Sequence, residues 1–308
     1  MADLLIVGTG AMALLFASRL AEAGFGVTLL GTWEEGITAI NQSGVRVLYR
    51  TGAVNYPVKA EDRPERIQGA RLALVLVKSW QTERAASQLS QVLHSKGVAL
   101  TLQNGLGNRE ILASHLGEER VAQGVTTYGA TLVAPGQVRP GGEGLVSVQD
   151  HPRILPLLDA LRNAGIAVQQ VPELSGLIWG KLVINVAINP LTALLGVRNG
   201  ALLQSDSARR VMGMAAEEAA AVAGSEGIQL PFQSPAAAAE AVAESTASNI
   251  SSMLQDLKRG APTEIDVLCG AVAKTAEAHH LAVPVNELLW RLIRTRVDLG
   301  GVTINDNG

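Results

Sequence analysis

Hydrophobic and polar positions along the 308-residue chain change rhythm once, near residue 172. Ahead of that point short apolar runs alternate with helical stretches. Leu4-Leu5-Ile6-Val7 is an unbroken apolar run and predicts a buried strand, and the residues from Ala11 to Ala23 predict a helix. The alternation continues with Val27-Thr28-Leu29-Leu30, then, after a variable stretch, with Leu72 to Val77 and with Val98 to Leu102. Continuous apolar strands separated by helices indicate a parallel sheet covered on both faces, the doubly wound α/β arrangement. Further strands are predicted at 121–126, 130–133, 145–148 and 166–170, extending that sheet with antiparallel members.

Beyond Pro172 the strand pattern stops. Residues 173–296 read as helices punctuated by Gly196, Gly200, Gly227, Pro231, Pro235, Gly260, Pro262 and Pro284. The Ala-rich runs at 214–223 and 236–247 are good helix formers whose small side chains let helices approach closely. Two domains are therefore expected, 1–172 and an all-helical 173–308, with a small polar tail at 300–308 that frays.

Within the helical half, Lys181, Asn185 and Asn189 stand four residues apart in an otherwise apolar segment, Leu177 to Leu191. At that spacing they share one helix face. An amine and two amides on a helix that is otherwise apolar must meet partners or a polar cavity, because burying them unpaired is costly. The plainer readings are a solvated lysine and, for Asn189 followed by Pro190, an ordinary helix start with Asn as cap and Pro in the first turn. The charge-free flanks of Lys181, from Glu173 on one side to Arg198 on the other, favour a small-molecule site.

A second motif opens the chain. Gly8-Thr9-Gly10-Ala11-Met12-Ala13 fits G-x-G-x-x-A directly after the first strand and at the start of the first helix. Glycines there allow a tight turn and a close approach to a pyrophosphate, and the helix N-terminus offers its unpaired N–H groups to the anion. In this strand–turn–helix context the pattern predicts a Rossmann-type dinucleotide site. Lys78 and Asn104-Gly105 follow later strands at their carboxyl ends, where ligands of open α/β sheets bind.

Composition narrows the remaining choices. Hydrophobic residues make up 47% and charged ones 17%; Lys plus Arg total 25 and Asp plus Glu 28, for a net −3. No strongly basic half invites nucleic acid. One cysteine, Cys269, cannot form an intramolecular disulfide and suits a reducing compartment. The five histidines are scattered without metal-ligand spacing, so no metal site is expected. No signal peptide is visible and no run approaches ~18 uninterrupted apolar residues, which leaves no membrane partner and the cytoplasm as the expected location.

Taken together these residues resemble the ketopantoate reductase (2-dehydropantoate 2-reductase) family over nearly the whole chain. The glycine loop is generic. The specific blocks are Lys181 through Ala193, Asn249-Ile250-Ser251-Ser252-Met253 and Thr263-Glu264-Ile265-Asp266, supported by Lys78-Ser79-Trp80-Gln81, Gln103 to Gly107, 124–130 and Asn199-Gly200. The resemblance implies NADPH-dependent reduction of 2-dehydropantoate to (R)-pantoate, in the pathway to pantothenate and coenzyme A. By the same resemblance Lys181 is the general acid and Asn104 touches nicotinamide and substrate. Asn185, Asn189, Asn199 and Ser252 hold the substrate, Glu264 lies at the cofactor and a substrate hydroxyl, Ala130 lies beside the cofactor, and Lys78 is a cofactor-side or closure residue. A positioned ammonium suits a ketone that receives hydride, because the carbonyl oxygen becomes negative.

Three positions depart from the family pattern. Ala13 replaces the third glycine, Gly180 stands where a bulkier residue often precedes the lysine, and Thr32 occupies the end of the second strand where relatives often carry an arginine. The last leaves NAD(H) open beside NADP(H). Two other readings keep the scaffold: a reductase of another branched 2-keto acid, and a dinucleotide-binding regulator without turnover. The expected partner is a small 2-keto acid, and the chain a monomer or homodimer.

Overall fold

Leu4 and Ile6 of strand β1 (Leu4–Val7) join one apolar layer, and Leu5 and Val7 join another. That alternation, in a computed structural model that describes residues 4–300, sets the plan of the first half of the chain. Seven further strands complete an eight-stranded sheet: β2 (Val27–Leu30), β5 (Lys59–Glu61), β6 (Ala70–Val75), β7 (Leu93–Thr101), β8 (Val121–Thr126), β11 (Val146–Gln149) and β12 (Val168–Val171). Their order is β12-β11-β8-β7-β6-β1-β2-β5. From β5 to β8 every neighbouring pair is parallel; β11 runs antiparallel to β8, and β12 parallel to β11.

Helices cover the sheet. Helix α1 (Ala11–Glu22) packs with Leu4, Ile6 and Leu29 on one face, joined by α5 (Leu155–Asn163). Helices α3 (Thr82–Val92) and α4 (Asn108–Leu116) cover Leu5, Val7, Ala73 and Val75 on the other. Helix α2 (Glu34–Ser43) follows β2 and packs near β5.

The stretch 130–133, expected in this sheet, belongs elsewhere. Strand β9 (Ala130–Ala134) turns at Pro135-Gly136 into β10 (Gln137–Pro140), and β10 pairs in parallel with β3 (Val45–Tyr49), itself in a hairpin with β4 (Gly52–Tyr56). The result is a second, four-stranded sheet packed on α1. Its inward residues Val45, Val47 and Val138 are fully buried in the cluster that contains α1. The hairpin takes one edge of β9, so the segment joins the second sheet rather than the first. The run expected at 72–77 is observed at Ala70–Val75, and the one at 98–102 extends from Leu93 to Thr101.

From Ser175 on, no strand occurs among the described residues. The elements are α6 (Ser175–Leu195), α7 (Asp206–Ser225), α8 (Pro235–Ser245), α9 (Ser252–Lys258), α10 (Cys269–Ala278) and α11 (Pro284–Asp298). Helix α6 packs against α7, α8, α9 and α11. By length and composition it could cross a membrane, but 61% of its most apolar window is buried inside the structure, the condition of a core helix.

Asn189-Pro190 does not start a helix. Helix α6 runs through both residues, because Val186, Ala187 and Ile188 before them and Leu191, Thr192 and Ala193 after them are all buried in one core. Pro190 has no N–H to give to the Val186 carbonyl. One turn on, the Thr192 hydroxyl lies 2.9 Å from the Ile188 carbonyl and 3.0 Å from that of Asn189.

The chain forms two compact units. One holds the chain up to Gln103 together with Gly107–Leu174, and the other holds Asn104–Leu106 and the chain from Ser175 on. Apart from Gly300, the tail expected to fray lies outside the described residues.

Candidate active site

In the first unit the glycine loop connects β1 to α1 as the pattern requires. Gly8 has φ +131°, and a Cβ there would lie 3.1 Å from the carbonyl carbon and oxygen of Leu76, so both its conformation and its space demand glycine. Its N–H donates to the Leu30 carbonyl at 2.8 Å. Gly10 precedes α1, no side chain caps the helix, and a Cβ on Gly10 would meet nothing within 4 Å. The N-terminus of α1 is therefore open to an anion. Thr9 is buried, Ala11 and Met12 are half-buried, and Ala13 is wholly buried in the layer between α1 and the sheet. A small residue at position 13 thus serves close helix–strand packing, as a third glycine would.

Thr32 and Trp33 line a shallow cleft beside this loop, together with Gly31, Gln81, Arg84 and Gln88. Gln81 immediately precedes α3 and Arg84 and Gln88 lie on it, and sequence reasoning placed none of them in the site. Their spacing on one helix face is the signal, but it becomes visible only once α3 is known to flank β2's end. Lys78 is half-buried and immediately precedes the short turn Ser79–Gln81, whose Gln81 N–H bonds back to the Lys78 carbonyl at 2.8 Å. Ala130, half-buried, starts β9 in the second sheet.

A buried polar network fixes the turns after β6 and β7. The Gln103 side-chain amide donates to the Val77 carbonyl at 3.1 Å and to the Thr82 hydroxyl at 2.8 Å. Thr82 is fully buried, and its hydroxyl lies 2.8 Å from both the Ser79 carbonyl and Asn108 Oδ1. This network flanks Lys78 on the chain and ends one residue before Asn104.

The second unit carries the other group. Lys181, Asn185 and Asn189 are half-buried along one side of α6, while Leu182, Val183, Val186, Ala187 and Ile188 are buried. Neither Asn185 nor Asn189 has a side-chain hydrogen bond to another group among the described residues. Gly180, the departure beside the lysine, sits where a Cβ would come within 2.9 Å of the Pro231 ring, so a larger residue would displace the 231–232 turn.

Burial pushes the Lys181 ammonium down to about 8, and the Glu264 carboxylate acts in the opposite direction. Glu264 is only 6% exposed and precedes the turn Ile265–Val267. Asn104 Nδ2 donates to Glu264 Oε2 at 3.4 Å. What brings Asn104 there is Gly105: at φ +81° its missing Cβ would lie 2.4 Å from the Val267 carbonyl oxygen, which accepts from the Leu106 N–H at 3.3 Å. The segment Asn104–Leu106 therefore folds with the helical unit although its neighbours on both sides do not.

Asn199 and Ser252 are placed differently from the α6 residues. Asn199 is buried, its amide donates to the Thr246 hydroxyl at 2.9 Å, and its Oδ1 is buried without a partner. Its own N–H donates to the Asn249 carbonyl at 3.1 Å. Ser252 is exposed in the first turn of α9, whose cap is Ser251, accepting the Leu254 N–H at 3.2 Å. The Ser251 and Thr192 hydroxyls are 2.7 Å apart, which pins the start of α9 to α6.

Comparison with known proteins places these features in one family. Residues 4–153 match the family model described as Ketopantoate reductase PanE/ApbA, and residues 173–297 match Ketopantoate reductase PanE/ApbA C terminal. The chain is 38% identical to the 2-dehydropantoate 2-reductase of Halobacterium salinarum over 94% of this chain and 97% of that one. The crystal structure of a PanE/ApbA family ketopantoate reductase from Ralstonia eutropha JMP134 superposes with a TM-score of 0.91 at 33% identity, covering 97% and 100% of the two chains. A ternary structure of D-mandelate dehydrogenase with NADH and anilino(oxo)acetate superposes with a TM-score of 0.92 at 26% identity, again over 97% and 100%.

Proposed function

The chain belongs to the ketopantoate reductase PanE/ApbA family, and from that premise we propose that it reduces 2-dehydropantoate to (R)-pantoate with NADPH, as a cytoplasmic enzyme. The observation that carries the reading is the polar side of α6: a lysine whose acidity is raised by burial, with two half-buried amides that lack partners among the described residues. Half-exposed amides without a protein partner are free to offer both donor and acceptor to a ligand.

The first unit fits a dinucleotide on two structural grounds, the uncapped and open N-terminus of α1 and the close approach at Gly8. When bound, that cofactor supplies the hydride for the keto carbon. The work of this chain is to orient the keto acid and to answer the charge that develops on its oxygen. Lys181, still largely protonated at neutral pH, stabilises that oxygen and gives it a proton. Glu264 keeps the ammonium charged and accepts from Asn104, and either group can receive a hydroxyl of the substrate. Asn185, Asn189 and Ser252 hold the acid; Asn199 contributes through its buried Oδ1 and its grip on the 246–249 turn.

NADPH is favoured over NADH because the end of β2 offers Gly31 and Thr32, where an NAD site places a carboxylate for the ribose diol. A second reading keeps the machinery and changes the acid, and the likeness to a D-mandelate dehydrogenase supports it. The deciding experiment follows oxidation of NADPH and NADH with 2-dehydropantoate, 2-oxoisovalerate and phenylglyoxylate. The proposal expects 2-dehydropantoate to lead in kcat/KM by about tenfold or more, the scale of one or two well-made polar contacts. Parity with 2-oxoisovalerate or phenylglyoxylate gives the second reading the site.

A further inference from the structure

We propose that Arg84, on α3, is the residue that binds the 2′-phosphate of NADPH and sets the cofactor preference of this chain. The inference rests on the dinucleotide reading of the glycine loop. It answers a problem of charge: a 2′-phosphate needs a cation near the end of β2, and Leu30-Gly31-Thr32-Trp33-Glu34-Glu35 contains none.

The fold supplies the cation from another element. Arg84 lines the cleft that Gly31, Thr32 and Trp33 line, and it is the only charged residue among those that do. Its guanidinium makes no hydrogen bond or ion pair with any other described residue. By contrast, Arg66 is held by Glu61 and Asp62, and Arg109 by Glu118. Gln81, in the turn just before α3, and Gln88, one turn beyond Arg84 on α3, add neutral donors to the same cleft.

Of the carboxylates close by in sequence, Glu34 is exposed in the first turn of α2 and does not line the cleft, and three others are engaged. Glu35 accepts from Trp33 Nε1, Glu83 pairs with His115 at 2.7 Å, and Glu61 pairs with Arg66 at 3.6 Å. No Asp or Glu lines the cleft. The Trp33 ring that also lines the cleft packs on Gly36, where a Cβ would meet it at 2.4 Å. A fork of guanidinium donors, the Thr32 hydroxyl and two glutamine amides lining one cleft match a phosphate dianion.

The test measures binding without any keto acid, so that it stands apart from the proposed reaction. Calorimetry on the full chain compares adenosine 2′,5′-bisphosphate with AMP. The wild-type chain is expected to bind the bisphosphate at least about tenfold tighter, and Arg84→Gln to remove most of that advantage, the loss expected for one charge-assisted contact. Arg84→Lys should keep part of it. In the Arg84→Gln background, Thr32→Arg should restore it by placing the cation at the strand end. A melting curve for each variant checks the fold. Equal affinities in wild type and Arg84→Gln would overturn the proposal. So would a wild-type chain that does not distinguish the two nucleotides. Should the binding result hold while no keto acid is reduced, the proposed reaction fails and the assignment of Arg84 stands.

Discussion

The two functional surfaces of this chain are built on opposite principles. In the first unit the glycine loop and its cleft are made from backbone geometry at the carboxyl ends of β1 and β2, with exposed side chains at Thr32 and Arg84. In the second, the chemistry sits on side chains of a core helix, and Lys181 carries the cost of being there as a depressed pKa. A dinucleotide brings its own charge and needs a cradle. A keto acid needs a proton donor whose pKa is near the working pH, and burial is the means by which a lysine reaches it.

The sharpest way to break this contrast is to remove the amine. Lys181→Ala is expected to lower kcat by at least about 10²-fold while cofactor affinity changes little. The pH profile of the wild-type reduction carries the sign: the acid works when protonated, so the rate should be sustained below pH 8 and fall as pH rises through the Lys181 pKa of about 8. A flat profile between pH 7 and 9.5 removes Lys181 from the proton transfer.

Next in size are the amides. Asn185→Ala and Asn189→Ala should each lower kcat/KM by an amount equivalent to ~1–3 kcal/mol. Because Asn189 lies inside α6 and caps nothing, its loss should not lower the melting temperature as a cap deletion would. A variant of Asn189 that melts lower and turns over normally returns that residue to a structural role.

These residues also show what can be read from a sequence and what cannot. The polar face of α6 was legible because Lys181, Asn185 and Asn189 contrast with apolar neighbours at helical spacing. The central parallel strands β1, β2, β6 and β7 were legible because each contains an apolar run, whereas β5, Lys-Ala-Glu parallel to β2, was not. Strands β3, β4 and β10 were not: they are short, β4 is largely exposed, and β10 finds its parallel partner β3 some ninety residues earlier. The alternative of a helix start at Asn189-Pro190 fails, because one missing N–H is outweighed by apolar burial on both sides and α6 runs through. Nor could sequence distance reveal that Asn104–Leu106 folds with the helical unit, or that an arginine on α3 faces the end of β2.

A smaller effect tests whether burial of the amine is a stability cost. Depression of the Lys181 pKa means that the unfolded chain binds its proton more tightly, so that group opposes folding below pH 8 and ceases to do so as pH rises toward 10.5. The double variant Lys181→Met, Glu264→Gln removes both charges without leaving one stranded. It should be about 1–3 kcal/mol more stable than wild type at pH 7 in urea unfolding, with the gain shrinking as pH rises above 8. A double variant that is less stable at pH 7 would mean that the pair holds the helical unit together rather than burdening it.

The smallest effect separates the two surfaces by their exposure to salt. Arg84 is exposed, and its attraction to a 2′-phosphate is screened over a Debye length of about 8–10 Å at ordinary ionic strength. Raising salt from about 50 to 300 mM should therefore raise KM for NADPH by roughly two- to fivefold and KM for NADH less, because NADH lacks that phosphate. The proton transfer from Lys181, half-buried beside a nearly inaccessible Glu264, should respond far less, leaving kcat at saturating cofactor almost level. If both cofactors lose affinity equally, the salt acts on the pyrophosphate at α1, and the cleft contributes no charge of its own to the choice between them.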